Sequence, residues 1–217
     1  IPVYNFGETG WTSRQSLNQL IDAIGDNQNP SVVIFYDGVN DVLMQCRREV
    51  NLLPAHDRQE QIQKALRRSS IQKKFLNFII APYISLSNKL RIQSSKHDCH
   101  INQAKALSIA KHLVNNWHTA YVISKYKGFE FYGILQPTLF TTKTNSEYFH
   151  TSETKLNLEY KIQYKTVYPL ILKEIARYCE SDKNFCSSFV NGTNWLDGTN
   201  NIFIDFCHIN SFGNKVI

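Results

Sequence analysis

Asp205-Phe-Cys-His208 places a carboxylate and an imidazole three residues apart near the end of the chain. On a loop that follows a strand, two such side chains can face each other. The carboxylate then fixes the imidazole tautomer and stabilises the imidazolium, which leaves Nε2 free as a general base. The same residues would also serve as a structural pair capping a helix. Gly38-Val-Asn40-Asp41 adds a second chemistry. A glycine at the carboxyl end of a strand exposes its backbone N–H, and an asparagine side chain supplies another donor. Two such donors form an oxyanion hole for a tetrahedral acyl intermediate, and a base beside them completes most of an acyl-transfer site. Gly7 ends another apolar stretch in the same way. Asp41, next to Asn40, is expected to anchor its loop by hydrogen bonds and not to act as a catalytic acid. Gly38, Glu8 and Gln136, with Tyr36 and Trp11, are candidates for anchoring the loop or lining the cleft. Core or rim packing explains each of them equally well.

These groups meet only if the strands before them end side by side. Val32 to Tyr36 is apolar without alternation, the pattern of a parallel strand covered on both faces. Asp37 to Asp41 follows at its carboxyl end, where open α/β sheets place their ligands. Val3-Tyr-Asn-Phe6 reads as a short strand ending at Gly7. Ser13 is the expected N-cap of a helix whose face is Leu17, Leu20, Ile21 and Ile24, up to Gly25. Strand, helix, strand implies a right-handed parallel crossover. Leu107, Ala110, Val114, Trp117 and Tyr121 mark a long helix ending near Gly128, and Phe129 to Leu135 is the next strand, closed by Gln136-Pro137. Thr138 to Leu158 reads as a polar loop. Tyr160, Tyr164, Val167, Ile171, Ile175 and Tyr178 give another helix, kinked at Pro169. Asn200 to Phe206 is the expected last strand, and it delivers Cys207-His208 to the cleft.

With 217 residues, 42% hydrophobic, the chain suits one α/β domain or one domain with an insertion. The net charge of +6 is uneven: residues 44–100 carry 11 Lys+Arg against 4 Asp+Glu, and the remainder is close to neutral. This segment breaks the strand-helix rhythm and reads as a basic helical cap inserted after the G-x-N-D strand. Its apolar stretch Phe75 to Leu86 is too short to span a bilayer. A solvated face explains the charge most simply; contact with an anionic surface or acidic polymer is the alternative. Five cysteines without metal-type spacing argue against a disulfide framework, with room for one bridge. His97-Asp98-Cys99-His100 has metal-ligand types, but adjacent residues rarely close on one ion, and no metal or cofactor is expected. Nothing resembles a phosphate-binding loop, and nucleic acid is not an expected partner. Asn191-Gly-Thr193 is a glycosylation sequon. No targeting segment is visible, and the compartment is not legible.

The blocks in this order resemble the SGNH (GDSL-like) hydrolases. Asn5-Phe-Gly7-Glu-Thr-Gly resembles their second block, Gly38-Val-Asn40-Asp41 their third and Asp205-Phe-Cys-His208 their fifth. The resemblance implies a flavodoxin-like three-layer α/β/α sandwich with a parallel sheet. It implies ester hydrolysis by serine, histidine and aspartate, with His208 as base, Asp205 as its orienter, and oxyanion donors from the Gly7 N–H and the Asn40 side chain. The substrate would be a small-molecule or carbohydrate ester.

The family's first block, a G-D-S-like turn bearing the nucleophile, has no counterpart. Ser13 and Ser16 lie on a helix, Ser31 opens a strand at the wrong end, and Ser211 resembles a helix cap. The expectation is therefore a nucleophile upstream of Ile1 and a chain truncated at both ends, unstable and inactive alone. In a flavodoxin-like order of 2-1-3-4-5 the absent strand would separate the Val3 and Val32 strands by two spacings, about 9–10 Å. A non-catalytic carbohydrate- or partner-binding relative, or an O-acyltransferase using the same residues, are the rival readings.

Overall fold

The computed structural model describes residues 2–50, 96–143 and 155–217. Three strands form one parallel sheet in the order β1 (Val32–Asp37), β2 (Glu130–Leu135), β3 (Phe189–Asn191). The register sets Val32 opposite Glu130, Asp37 opposite Leu135, and Gly133 opposite Phe189. Around the sheet stand α1 (Ser13–Gly25), α2 (Val39–Gln45), α3 (Gln103–Lys127), α4 (Lys155–Ser181), α5 (Lys183–Ser187) and α6 (Gly213–Val216), with a 3-10 turn at Gly192–Asn194. The chain is thus an α/β protein.

Local chemistry sets the long elements. The Asn102 side chain accepts from Lys105 N–H at the start of α3, and Gly128, in the left-handed region at φ 80°, closes it by donating its N–H to Ser124 O. Lys125 and Lys127 complement the negative end of its dipole. The cap of α1 is Thr12, one residue earlier than expected, with its N–H donating to Gln15 Oε1 at 3.0 Å. Ser13 is freed for a buried role described below. Of the expected α3 stripe, Ala110, Val114, Trp117 and Tyr121 are buried, whereas Leu107 is exposed.

The strands follow one another across the sheet in one direction. Right-handed crossovers then put their helices on the same face, and α3 packs against both α1 and α4. Phe35, Phe131 and Leu135 meet them, and Gly133 admits the Trp117 indole, since a Cβ there would stand 2.7 Å from the ring. The opposite face is not covered by the described residues. Val32 is 47% exposed, Ile34 59% and Tyr36 40%. The unalternating run at Val32–Tyr36 was expected to be buried on both sides, but its even positions face outward because every described crossover helix lies on the other side. The free edge of β1 also has no partner strand among the described residues.

Two expected strands are absent. Val3–Phe6 has no regular structure, and Val3 and Tyr4 are largely exposed. It pairs with no strand among the described residues. Asn200–Phe206 is not a strand either; the segment turns back on itself. Phe203 bridges Ile209, Ile204 N–H donates to His208 O at 2.8 Å, and Asn210 N–H donates to Ile202 O at 2.8 Å. The third strand is Phe189–Asn191. Ser211 is not the cap of α6; Asn210 Oδ1 accepts the N–H groups of Phe212 and Gly213. α4 begins at Lys155, inside the segment expected as loop, and Pro169 lies within it.

Residues 51–95, most of the basic insertion, lie outside the described residues, so the helical cap and its apolar stretch Phe75–Leu86 do too. The two ends of the insertion meet. A Cys46–Cys99 disulfide joins them, Arg47 bridges His97, and Arg48 N–H donates to Lys96 O at 2.9 Å. A second disulfide, Cys179–Cys186, ties α4 to α5, and Cys207 is free. Two bridges form where at most one was expected, because pairing follows proximity in the fold and Cys46 and Cys99 are 53 residues apart. The His97–His100 cluster serves this neck. Cys99 is in the disulfide, Asp98 pairs with Lys105 at 2.9 Å, and His97 Nδ1 lies 2.8 Å from Glu159 Oε1. His100 Nδ1 lies 2.9 Å from Gln163 Nε2.

Candidate active site at the carboxyl end of the sheet

β1 ends on a turn that only glycine permits. Gly38 has φ 123°, and a Cβ on it would meet Leu135 Cδ1 at 2.7 Å and Tyr168 Oη at 3.2 Å. α2 starts on the next residue, and Val39 N–H donates to Gln136 Oε1 at 3.2 Å. Gln136 therefore anchors the turn. Asp41, 1% exposed, does so from below. It accepts the Ser13 N–H at 3.0 Å and the Ser13 hydroxyl at 2.6 Å. Asn116 Nδ2 donates in turn to Ser13 Oγ at 3.0 Å. Four residues earlier, Asp37 accepts from Ser16 Oγ at 2.9 Å and from Trp117 Nε1 at 3.0 Å. Burial pushes both carboxyls up, Asp37 to about 7 with help from the charge of Asp41, and Asp41 to about 6 against the donors around it. Asn40 is half-buried at the head of this turn, and its amide has no hydrogen-bond partner among the described residues.

The Asp205–His208 loop is held by its own backbone. Asp205 Oδ1 accepts the N–H groups of Cys207 and His208 at 2.8 and 2.7 Å, and Oδ2 lies 2.6 Å from His208 Nδ1. Burial pushes the Asp205 carboxyl up, but these N–H groups and the imidazole outweigh it and hold it below the usual range. The dyad geometry expected from the i, i+3 spacing is therefore formed, with Nδ1 engaged and the His208 side chain 73% exposed.

Aromatic rings connect the two halves. The Phe206 ring packs 5.9 Å from Tyr164, 5.1 Å from Tyr160 and 6.0 Å from Phe140. The Tyr164 hydroxyl, on a fully buried ring, donates to Val39 O at 3.0 Å. Tyr168, one turn on, donates to Gln136 O at 3.1 Å. The Cys207 thiol is near enough to Tyr36 for the two to interact; burial first, and then Cys207, raises that phenol to about 12. Gly38, Asn40 and Asp41 share one turn anchored by Gln136, and the Asp205–His208 loop is linked to that turn through the Phe206 and Tyr164 rings and Val39 O.

Gly7 and Glu8 stand apart from this group. Both are exposed, and the Gly7 N–H donates to Asn5 Oδ1 at 2.9 Å. No hydrogen bond joins either residue to the Gly38 turn or the Asp205 loop among the described residues. Ser13 and Ser16, set aside as nucleophiles, are the hydroxyl partners of Asp41 and Asp37. Ser13, Asp37, Asn116, Tyr164 and Tyr168 support the turn in roles that the sequence reading did not assign to them. Asp37 and Asp41, four residues apart beside an apolar strand, were the available signal. Asp205, Cys207 and His208 are also the one group among the described residues whose carboxylate, thiol and imidazole atoms lie within 4.8 Å of one another, close enough to hold a metal ion. No protein-family model matches the chain, and no curated protein matches it.

Proposed function

We propose that the protein is a serine-dependent ester hydrolase of the SGNH type, acting on acyl or acetyl esters. The His208–Asp205 pair at 2.6 Å, docked through Phe206 and Tyr164 onto the turn that carries Asn40, supports this reading most directly. In the proposed cycle His208 Nε2 takes the proton of a serine hydroxyl as that oxygen attacks the ester carbonyl. Asp205 holds the ring in the required tautomer and stabilises the imidazolium. The Asn40 amide receives the developing oxyanion, with the Gly7 N–H as second donor once it is released from Asn5. His208 then returns the proton to the departing alcohol, and a water repeats the sequence to free the acid. The serine belongs to a strand proposed to pair with the free edge of β1, which would set its carboxyl end between Gly38 and the segment at Gly7.

The test is turnover of a short-chain aryl ester by the full reading frame, compared with His208→Ala and Asn40→Ala. A positioned general base contributes about 10²–10⁴-fold and one oxyanion donor about 10²–10³-fold. Losses of that size are expected, and a His208→Ala variant with undiminished turnover refutes the reading.

A further inference from the structure

We infer that Asp205, Cys207 and His208 form a binding site for a thiophilic divalent cation of the zinc type, and that the cation, when bound, takes His208 out of proton transfer. The binding stands on the geometry of the loop alone; the consequence for catalysis rests on the esterase reading.

Three donor types converge in four residues: a carboxylate, a thiol and an imidazole, all within 4.8 Å of one another. A tetrahedral zinc site with Zn–S of about 2.3 Å and Zn–N of about 2.0–2.1 Å sets sulfur and nitrogen about 3.6 Å apart, and nitrogen and oxygen about 3.4 Å apart. Cys207 Sγ already stands 3.6 Å from His208 Nδ1. Asp205 Oδ2 stands 2.6 Å from the same nitrogen, so this pair must open by about 0.8 Å. The backbone N–H groups on Asp205 Oδ1 keep the carboxylate in place, while the imidazole, exposed on its other sides, has room to turn once its contact with Oδ2 opens. The fourth position would face water, as at sites with three protein ligands.

The ionic chemistry also fits. A divalent cation bound between a thiolate and a carboxylate offsets the repulsion between the two negative charges. Binding releases the thiol proton to solvent and forms a Zn–S bond, with no change of oxidation state. Coordination at Nδ1 places the remaining ring proton on Nε2, which removes the lone pair that the base needs. The cation would therefore inhibit by occupying the tautomer-setting nitrogen, without blocking the oxyanion side.

The test uses the protein of the full reading frame, with both disulfides intact, and Zn²⁺ as the probe, titrated against a chromophoric chelator. Loss of a supporting partner alone weakens metal sites by about 10–100-fold, so Cys207→Ser and His208→Ala are each expected to weaken Zn²⁺ binding by at least about tenfold. Serine preserves an O–H beside Asp205, and circular dichroism confirms that each variant remains folded. Co²⁺ in place of Zn²⁺ should give a thiolate charge-transfer band that is absent in Cys207→Ser. Equal Zn²⁺ affinity in the wild type and Cys207→Ser overturns the site. In the ester assay, Zn²⁺ should inhibit the wild type at a concentration at least about tenfold below that needed for Cys207→Ser. Equal inhibition overturns the regulatory role. Absence of any ester turnover counts against the hydrolase reading, while the chelator titration still decides whether the metal site exists.

Discussion

Single residues carry two separable burdens at this site, holding the Gly38 turn and keeping a proton under it. Asp37 and Asp41 are both raised by burial, so the folded chain binds protons that the unfolded chain releases near pH 4. Their contribution is fully present below the unfolded carboxylate range and is lost as pH rises through about 6 to 7. Thermal unfolding followed from pH 4 to pH 8 should therefore show the melting temperature falling across that window, and Asp37→Asn should flatten the slope. An unchanged slope in the variant would place the proton elsewhere. Gly38 meets a different constraint. With φ 123° and Leu135 2.7 Å from any added Cβ, Gly38→Ala is expected to cost about 3 kcal/mol in denaturant unfolding. Both carboxylates are visible in the sequence, but their partners are not. Ser13 and Asn116 are 103 residues apart, and nothing local in either segment announces that they share a hydrogen bond.

At the scale of elements, α4 acts as the clamp between the two halves of the site. Tyr164 and Tyr168, one turn apart, donate to Val39 O and Gln136 O, and the Tyr164 ring packs on Phe206. Tyr164→Phe keeps the ring and removes the donor, an expected loss of about 1 kcal/mol in stability. In the ester assay it should lower kcat more than it raises KM, because it shifts the oxyanion turn against the base without touching substrate. Equal stability with unchanged kcat would deny the clamp. The helices were legible because α3 and α4 repeat apolar residues at helical spacing over many turns. β1 and β2 were legible as apolar runs between turn residues. β3 was not, since Phe189-Val-Asn is too short to show a period. Asn200–Phe206 misled for a physical reason. Ile202 and Phe203 are apolar because they fill a separate cluster with Leu139 and Leu196, not because they join a ladder.

For the molecule as a whole, the Cys46–Cys99 bridge fastens the start and finish of the basic insertion directly behind α2. Chain-entropy reasoning for a loop of 53 residues gives a contribution of about 4 kcal/mol. Cys46→Ala with Cys99→Ala should lower stability by up to that amount, with a larger loss than Cys179→Ala with Cys186→Ala, whose loop spans 7 residues. Equal losses would mean that loop length does not govern the effect. The likeness to a hydrolase rested on three short blocks. Two of them are linked through Phe206 and Tyr164, while the third, around Gly7, lies in no strand.

The bare side of β1 bears on how this protein behaves in concentrated solution. Among the described residues nothing covers Val32, Ile34 and Tyr36, which form an oily ridge that another apolar surface can meet. Light scattering should rise with protein concentration and with salt as repulsion from the net +6 charge is screened. Ile34→Lys, placing a cation in the middle of that ridge, should suppress the rise while leaving the far-ultraviolet circular dichroism spectrum intact. If scattering is the same in the variant, stickiness arises from some other surface.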